Sequence, residues 1–168
     1  MNTDSIRTPK DFQLHLQFAV PSEHLFEALA TNDGAQCWWT KFSEVSGNVG
    51  GQSSFHFPSY GFFAVMKILR RESPRLLEWE CIDSKHNEST GYTDLRDWVG
   101  TRIRFEIRDF GIGKSQLNFT HFGLNQLECL TSCSSGWAFF LNESLRGYLE
   151  KGKGQPYDKE RSDIRNAT

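Results

Sequence analysis

The sequence has no excess of basic residues, because its 19 Lys and Arg are outnumbered by 21 Asp and Glu. Without a positive field, we expect neither nucleic acid nor an anionic lipid surface as a partner. No apolar run reaches the length of a membrane span. The first twelve residues, MNTDSIRTPKDF, contain no hydrophobic signal region. These absences predict a cytoplasmic protein that binds neither nucleic acid nor membrane.

Cysteine is scarce, and its four positions are scattered at Cys37, Cys81, Cys129 and Cys133. This spacing is not that of a secreted disulfide framework. Cys129 and Cys133 would lie on neighbouring rows of a helix and could supply half of a metal site. No second Cys or His pair lies close in sequence, so we expect two small, partly buried thiols and no metal ion.

Most catalytic signatures are also missing. SCSSGW (132–137) is not a nucleophile elbow, because no Gly lies two residues before a Ser. The chain contains no HExxH and no phosphate-binding Gly loop. The glycines of GNVGG (47–51) are explained by a hairpin turn. A non-enzymatic function is therefore favoured, and we expect no cofactor.

Aromatic residues, in contrast, are abundant, with 14 Phe and 5 Trp among 168 residues. So many large rings predict either a thick core or an aromatic-lined pocket. The length favours a single domain, which we place at residues 10–157, with flexible tails at 1–9 and 158–168.

The hydrophobic pattern begins with FQLHLQFAV (12–20), whose alternation predicts a half-buried antiparallel strand. Two short helices should follow, SEHLFEALAT (22–31) and one carrying AQCWW (35–39). Short β-prone runs come next: QSSFHF (52–57), FFAVMKIL (62–69), LLEWECI (76–82), TRIRFEI (101–107) and SQLNFTHF (115–122). This order predicts an α+β fold with helices on one face of an antiparallel sheet of about six to seven strands.

Two further segments complete the pattern. Residues 83–98 are polar and unpatterned except for Trp98, which predicts a long loop or mobile hairpin over one end of the sheet. A final helix is expected from about Ser132 to Lys151, with Gly152 as its stop. A curved sheet around one helix need not close completely, and any unfilled gap becomes a ligand cavity.

The best apolar stripe of the final helix carries Trp137, Leu141, Ser144 and Tyr148, with Phe140 on its shoulder. Core packing is one interpretation. Cavity lining is the other, because the buried hydroxyls of Ser144 and Tyr148 need partners that a ligand could supply. Phe139 lies on the opposite side, where it would be exposed or would contact a second copy in a homodimer.

The order of these pieces resembles the START-like (SRPBCC) superfamily with the helix-grip fold. Within it, the chain is similar to the group named after the activator of the heat-shock-protein-90 ATPase. The following residues carry the resemblance: Val20-Pro21 with Phe26 and Leu29, Trp38-Trp39, Gly50-Gly51, Pro74-Arg75-Leu76, FTHFGL (119–124) and Gly136-Trp137. The resemblance implies a curved sheet wrapped around the long helix, with a cavity between them for small apolar or aromatic ligands. Superfamily members include carriers, lipid binders, cyclases and chaperone-binding domains, so the resemblance implies no reaction.

We therefore predict that the cavity binds a small hydrophobic or aromatic molecule. Rings and aliphatic groups would supply apolar contact, while three polar groups, on His121, Ser144 and Tyr148, would orient the ligand. The predicted walls are Trp38, Trp79, Phe105, Phe119, His121, Trp137, Phe140, Leu141, Ser144 and Tyr148. Trp38 and Trp39 are adjacent, so one should close the cavity while the other packs under the short helices.

Two alternatives stay open. The first is a cyclase or dehydratase that acts on a polyketide-like substrate with His121 or Tyr148 as acid or base. The second is a chaperone-interaction module, which would need an exposed patch around Phe139 and the 83–98 loop. Two titratable groups that converge inside the cavity would favour the enzyme.

Overall fold

A computed structural model describes residues 9–158 of the chain. Its strands are β1 (Phe12–Phe18), β2 (Phe42–Glu44), β3 (Gln52–Phe57), β4 (Phe62–Glu72), β5 (Leu76–Lys85), β6 (Arg102–Asp109) and β7 (Ser115–His121). Its short helices are α1 (Ser22–Ala30) and α2 (Asn32–Trp38). A long C-terminal helix runs from Leu130 to Lys151.

All seven strands form one antiparallel sheet in the order β1-β7-β6-β5-β4-β3-β2. Strands β2 to β7 each pair with the next strand along the chain. β1 pairs with β7 at the far edge of the sheet, where Leu16 faces Leu117. The alternation in β1 and β6 follows the pleat, so that Ile103, Phe105 and Ile107 are buried while Arg102 meets water. The predicted α+β architecture, with seven strands, two short helices and a long terminal helix, is confirmed.

The long helix is not uniform. It consists of α3 (Leu130–Ala138), a π-helical stretch (Phe139–Leu145) and α4 (Arg146–Lys151), and it ends at the left-handed Gly152. Gly152 is therefore the predicted stop. A π turn holds more residues than an α turn, so it shifts the angular position of every side chain that follows it. This shift decides which residues of the predicted stripe face inward.

The π-helical stretch of the long helix packs closely against α2, and its Leu141, Ser144 and Leu145 are buried. Ser144 is completely buried: its hydroxyl donates to the Trp38 carbonyl oxygen at 2.6 Å and accepts from the Gln155 backbone N–H at 2.8 Å. A Cβ at Gly154 would lie 2.1 Å from the Cys37 carbonyl oxygen, so only glycine fits where the chain crosses behind α2. No room for a ligand remains around Ser144.

The segment predicted as a loop begins later than expected, because β5 runs on to Lys85. Beyond it the chain makes a 3₁₀ turn (Glu88–Thr90), and the His86 N–H donates to the Leu95 carbonyl at 2.8 Å. Trp98 is buried. Residues 86–98 thus pack against the helix and form a wall at one end of the sheet.

Within residues 9–158, no helix is long and apolar enough to cross a membrane. The predicted flexible tails fall almost entirely on residues 1–8 and 159–168, which lie outside the described residues. The assignment of a single domain stays a prediction.

We expect Ser144→Ala to lower the free energy of unfolding by about 1–3 kcal/mol, because it leaves two backbone groups without their partner. Urea denaturation would measure the difference. Ser135→Ala, an exposed serine on the same helix, serves as the control. A loss no larger for Ser144→Ala than for the control would contradict the bridging role of Ser144.

Candidate functional site

A cavity of about 320 Å³ lies where β3 turns into β4 and β5 ends. The N-terminal half of the long helix covers one side of it, and residues 86–98 cover another. Its volume is at the lower end of the range for small-molecule sites. The cavity is therefore at one end of the sheet, beside α3, and not beneath the whole helix.

Six aromatic rings supply the apolar walls: Trp39, Phe57, Phe62, Trp98, Trp137 and Phe140. Trp137 is central among them, because its ring stacks on Trp39 with centroids 5.0 Å apart and on Trp98 at 5.9 Å. Phe62 meets Trp98 edge-on at 5.1 Å. These contacts fix the rings in place as an apolar lining.

The polar lining comes from the β3–β4 turn, the 86–98 segment and the long helix: Tyr60, His86, Asn87, Thr90, Tyr92, Ser132 and Cys133. The Tyr92 hydroxyl and the Ser132 Oγ lie 3.0 Å apart and join the loop to the helix. An apolar cavity with a few polar groups in its lining can orient an amphipathic ligand.

His121 holds Trp137 from behind. The Trp137 indole N–H can only donate, so the His121 Nδ1 at 3.1 Å must accept with its lone pair. The ring proton therefore sits on Nε2, which donates to the Thr101 Oγ1 at 3.0 Å, and that hydroxyl donates to the Trp98 carbonyl at 2.6 Å. Burial lowers the pKa of His121 to about 3. His121 is a neutral strut between two cavity walls.

His86 and Asp97 form a second buried polar pair, which reaches the cavity surface through His86. The His86 Nε2 lies 2.8 Å from the Asp97 Oδ1, and both side chains are less than 10% exposed. Burial is the largest single effect and disfavours charge on His86, but the hydrogen bonds and charges of Asp97 and Cys129 together outweigh it and raise the pKa of His86 to about 9. Cys129 and Cys133 lie beside His86, and one ligand atom of each of the three lies within 4.8 Å of the others.

The structure places two of the ten predicted wall residues, Trp137 and Phe140, in the lining of this cavity. The aromatic and aliphatic residues Trp38, Trp79, Phe105, Phe119 and Leu141 are buried in the core. Trp38 lies under the short helices, and its indole N–H donates to the Ala28 carbonyl. Its neighbour Trp39 closes the cavity instead. His121 and Ser144 make the internal hydrogen bonds described above.

Tyr148 lies outside the cavity, in a surface groove with His24, Glu27 and Asp33. The uniform α-helical spacing put Tyr148 on the same face as Trp137. The π-helical stretch between them rotates Tyr148 away from the interior. Whether Trp137 and Phe140 contact a ligand stays a prediction.

Sequence reasoning missed the wall formed by residues 86–98. His86 and Tyr92 lie in a polar stretch without periodicity, so no pattern indicated that they face inward. Trp98 was the one signal, because a lone tryptophan in a polar segment needs a place to be buried. Phe57 and Phe62 flank the β3–β4 turn, and their inward direction depends on how the hairpin packs.

The family described as "Activator of Hsp90 ATPase homolog 1-like protein" matches residues 19–150 of the sequence. The chain belongs to this family. The expected relationship within the START-like superfamily is therefore confirmed. No curated protein matches the chain significantly.

Solved structures extend this assignment of the Hsp90-activator-like family. The Aha1 dimer from Colwellia psychrerythraea is 27% identical, with a TM-score of 0.71 over 86% of this chain and 98% of that one. An HSP90 activator from Plasmodium falciparum is 18% identical, with a TM-score of 0.60 over 85% and 96%. DynU16, a protein in the dynemicin biosynthetic locus, is 16% identical, with a TM-score of 0.64 over 88% and 49%. The last two likenesses show the fold alone.

We expect the free energy of unfolding to fall as the pH falls from 6.5 towards 3. The unfolded state protonates His121 near its ordinary pKa of 6.5, whereas the folded state resists protonation until about 3. The contribution of this residue to the slope approaches about 1.4 kcal/mol per pH unit. Urea denaturation between pH 4 and 7 would measure it.

The matched comparison is between two variants. His121→Gln should reduce the slope of the unfolding free energy against pH, whereas His24→Gln, which replaces an exposed histidine, should leave that slope unchanged. Equal slopes for the two variants would show that His121 is not responsible.

Proposed function

We propose that this protein binds a small, flat apolar or aromatic molecule in the cavity beside α3. The observation that carries the proposal is the set of six rings around about 320 Å³, with a few polar groups contributed by the β3–β4 turn, the 86–98 segment and the long helix. Fully burying a ligand of this kind gains about 25 cal/mol per Å² of apolar area. The rings are already fixed by contacts among themselves, so little ordering is required on binding.

The orienting groups in this proposal differ from those that the sequence suggested. Tyr92, Ser132 and His86 lie on the cavity wall and can reach a ligand hydroxyl or carbonyl. His121 does not contact the ligand in this proposal, because its two ring nitrogens are already hydrogen-bonded to Trp137 and Thr101. Its task is to position the Trp137 ring.

We expect Gly136→Leu to abolish binding. Gly136 lines the cavity, and a Cβ there meets nothing within 4 Å, so a leucine side chain can enter the free volume without disturbing the fold. Titration calorimetry with 2-naphthol would show at least a tenfold weaker affinity than wild type. The Gly136→Ala variant is the control: it should keep binding and gain about 1 kcal/mol of stability, since alanine favours a helix over glycine.

Two outcomes would reject this proposal. One is 2-naphthol and similar planar probes failing to bind or to raise the melting temperature of wild type. The other is unchanged affinity in Gly136→Leu, which would place binding elsewhere.

Acid–base chemistry on the bound molecule is a second candidate function. The observation in its favour is that His86, which lines the cavity, is paired with a second titratable group, the buried Asp97. The original candidates do not support it, because His121 is internally bonded and Tyr148 lies outside. Deuterium exchange next to the carbonyl of 2-acetylnaphthalene would test it. Exchange that is no faster with wild type than with Asp97→Asn excludes this activity.

A chaperone-interaction role is suggested by the family name and by the Plasmodium falciparum HSP90 activator. A pull-down with the heat-shock chaperone tests it, and failure to retain the chain would count against it.

The Colwellia psychrerythraea relative is a dimer. A homodimer of this chain stays a proposal. The ring of Phe139, predicted to be exposed or to contact a second copy, is half-buried and packs edge-on against Phe140. A cytoplasmic location likewise stays a prediction.

A further inference from the structure

The cluster of His86, Cys129 and Cys133 contains soft ligands from two distant parts of the chain. His86 follows β5, while the two cysteines lie one turn apart at the start of α3, where the Cys133 N–H donates to the Cys129 carbonyl at 2.8 Å. A ring nitrogen and two sulfur atoms lie within 4.8 Å of one another. Neither the ligand-binding proposal nor the family description assigns a role to the two thiols.

We propose that His86, Cys129 and Cys133 form a binding site for a thiophilic divalent cation, with zinc as the best match. Two thiolates and one imidazole are a ligand set that zinc favours over hard cations such as magnesium. The two thiolates carry a charge of −2, which the +2 charge of the cation cancels. The cation with its three protein ligands is therefore neutral in this buried place.

The spacing of the ligand atoms suits this assignment. Zinc–sulfur and zinc–nitrogen bonds of about 2.3 and 2.0 Å place tetrahedral ligands roughly 3.5–4 Å apart. The present separations of up to 4.8 Å require a contraction of about 1 Å. Side-chain rotation of Cys133, which is half-buried, can supply this movement while the helix stays fixed.

The surrounding groups resemble the outer shell of a metal centre. Asp97 holds the His86 Nε2 at 2.8 Å, so that Nδ1 can offer its lone pair once a cation displaces the proton there. The Trp98 indole N–H, which can only donate, points to the Cys129 sulfur at 3.3 Å and would stabilise a thiolate there. The second oxygen of Asp97 is buried, and among the described residues it has no hydrogen-bond partner. An unpaired carboxylate oxygen at this depth favours a nearby cation.

The fourth coordination position would open to the cavity, because His86 and Cys133 both line it. A site with three protein ligands and one open position leaves room for water or for a donor atom of a ligand. The inference is independent of the apolar-ligand proposal, since cation binding is measured without any ligand. In the loaded protein, His86 would be a ligand and no longer an acid or base.

The test is a titration of the reduced protein with Co²⁺, which gives thiolate-to-cobalt charge-transfer absorption when sulfur binds. Competition of Zn²⁺ against a chromophoric chelator supplies the affinity. We expect one equivalent of cation. Cys129→Ser and Cys133→Ser should each weaken the charge-transfer absorption, because only one sulfur ligand remains, and each should lose at least tenfold in affinity. Asp97→Asn should lose tenfold to a hundredfold in affinity.

Cys37→Ser and Cys81→Ser are matched controls, because these cysteines lie outside the cluster and should leave binding unchanged. If Cys129→Ser fails to fold by circular dichroism, Cys133→Ser decides, since that thiol is less buried. The proposal is overturned if wild type shows no sulfur-based absorption. It is also overturned if both cluster variants bind as wild type, or if the control variants lose affinity equally.

Discussion

The hydrogen bond between Trp137 and the neutral imidazole of His121 is the interaction on which the cavity depends. It joins the long helix to β7, and the other ring nitrogen reaches Thr101 and, through it, the Trp98 carbonyl. Two walls of the cavity are thereby tied to one residue. Because the indole can only donate, the arrangement holds only while His121 is uncharged, and burial keeps it so.

The π-helical stretch separates a part of the long helix that lines the cavity from a part that does not. Before it, α3 stands away from the sheet and its Gly136 leaves space that a side chain would have filled. Within it, Leu141, Ser144 and Leu145 are buried against the core. The cavity therefore exists beside half of the helix, and the other half provides the stability that an empty interior lacks.

The architecture could be predicted from the sequence because it depends on periodicity: the alternating strands and the glycine stop are present in the structure, and the apolar helix stripe is kept as far as Ser144. The site was harder, because it depends on where the periodicity fails. Tyr148 leaves the interior through a π turn that no spacing rule anticipates. His86 and Cys129 are far apart in sequence and meet only through the packing of a segment without pattern. Trp39 and Trp38 could not be told apart by composition, since both rings are buried and only their directions differ.

The pairing of the first strand with the last has a consequence for the order of assembly. His15 and Asn118, hydrogen-bonded across β1 and β7, are separated by 103 positions in the chain. β1 is synthesised first and can pair only after β7, the last strand, has been synthesised. Until then its apolar residues Leu14, Leu16 and Phe18 have no strand to pack beside. Contacts of such long sequence separation slow folding. The hairpins from β2 to β7 can zip up locally, and docking of β1 would then be the late step that completes the sheet.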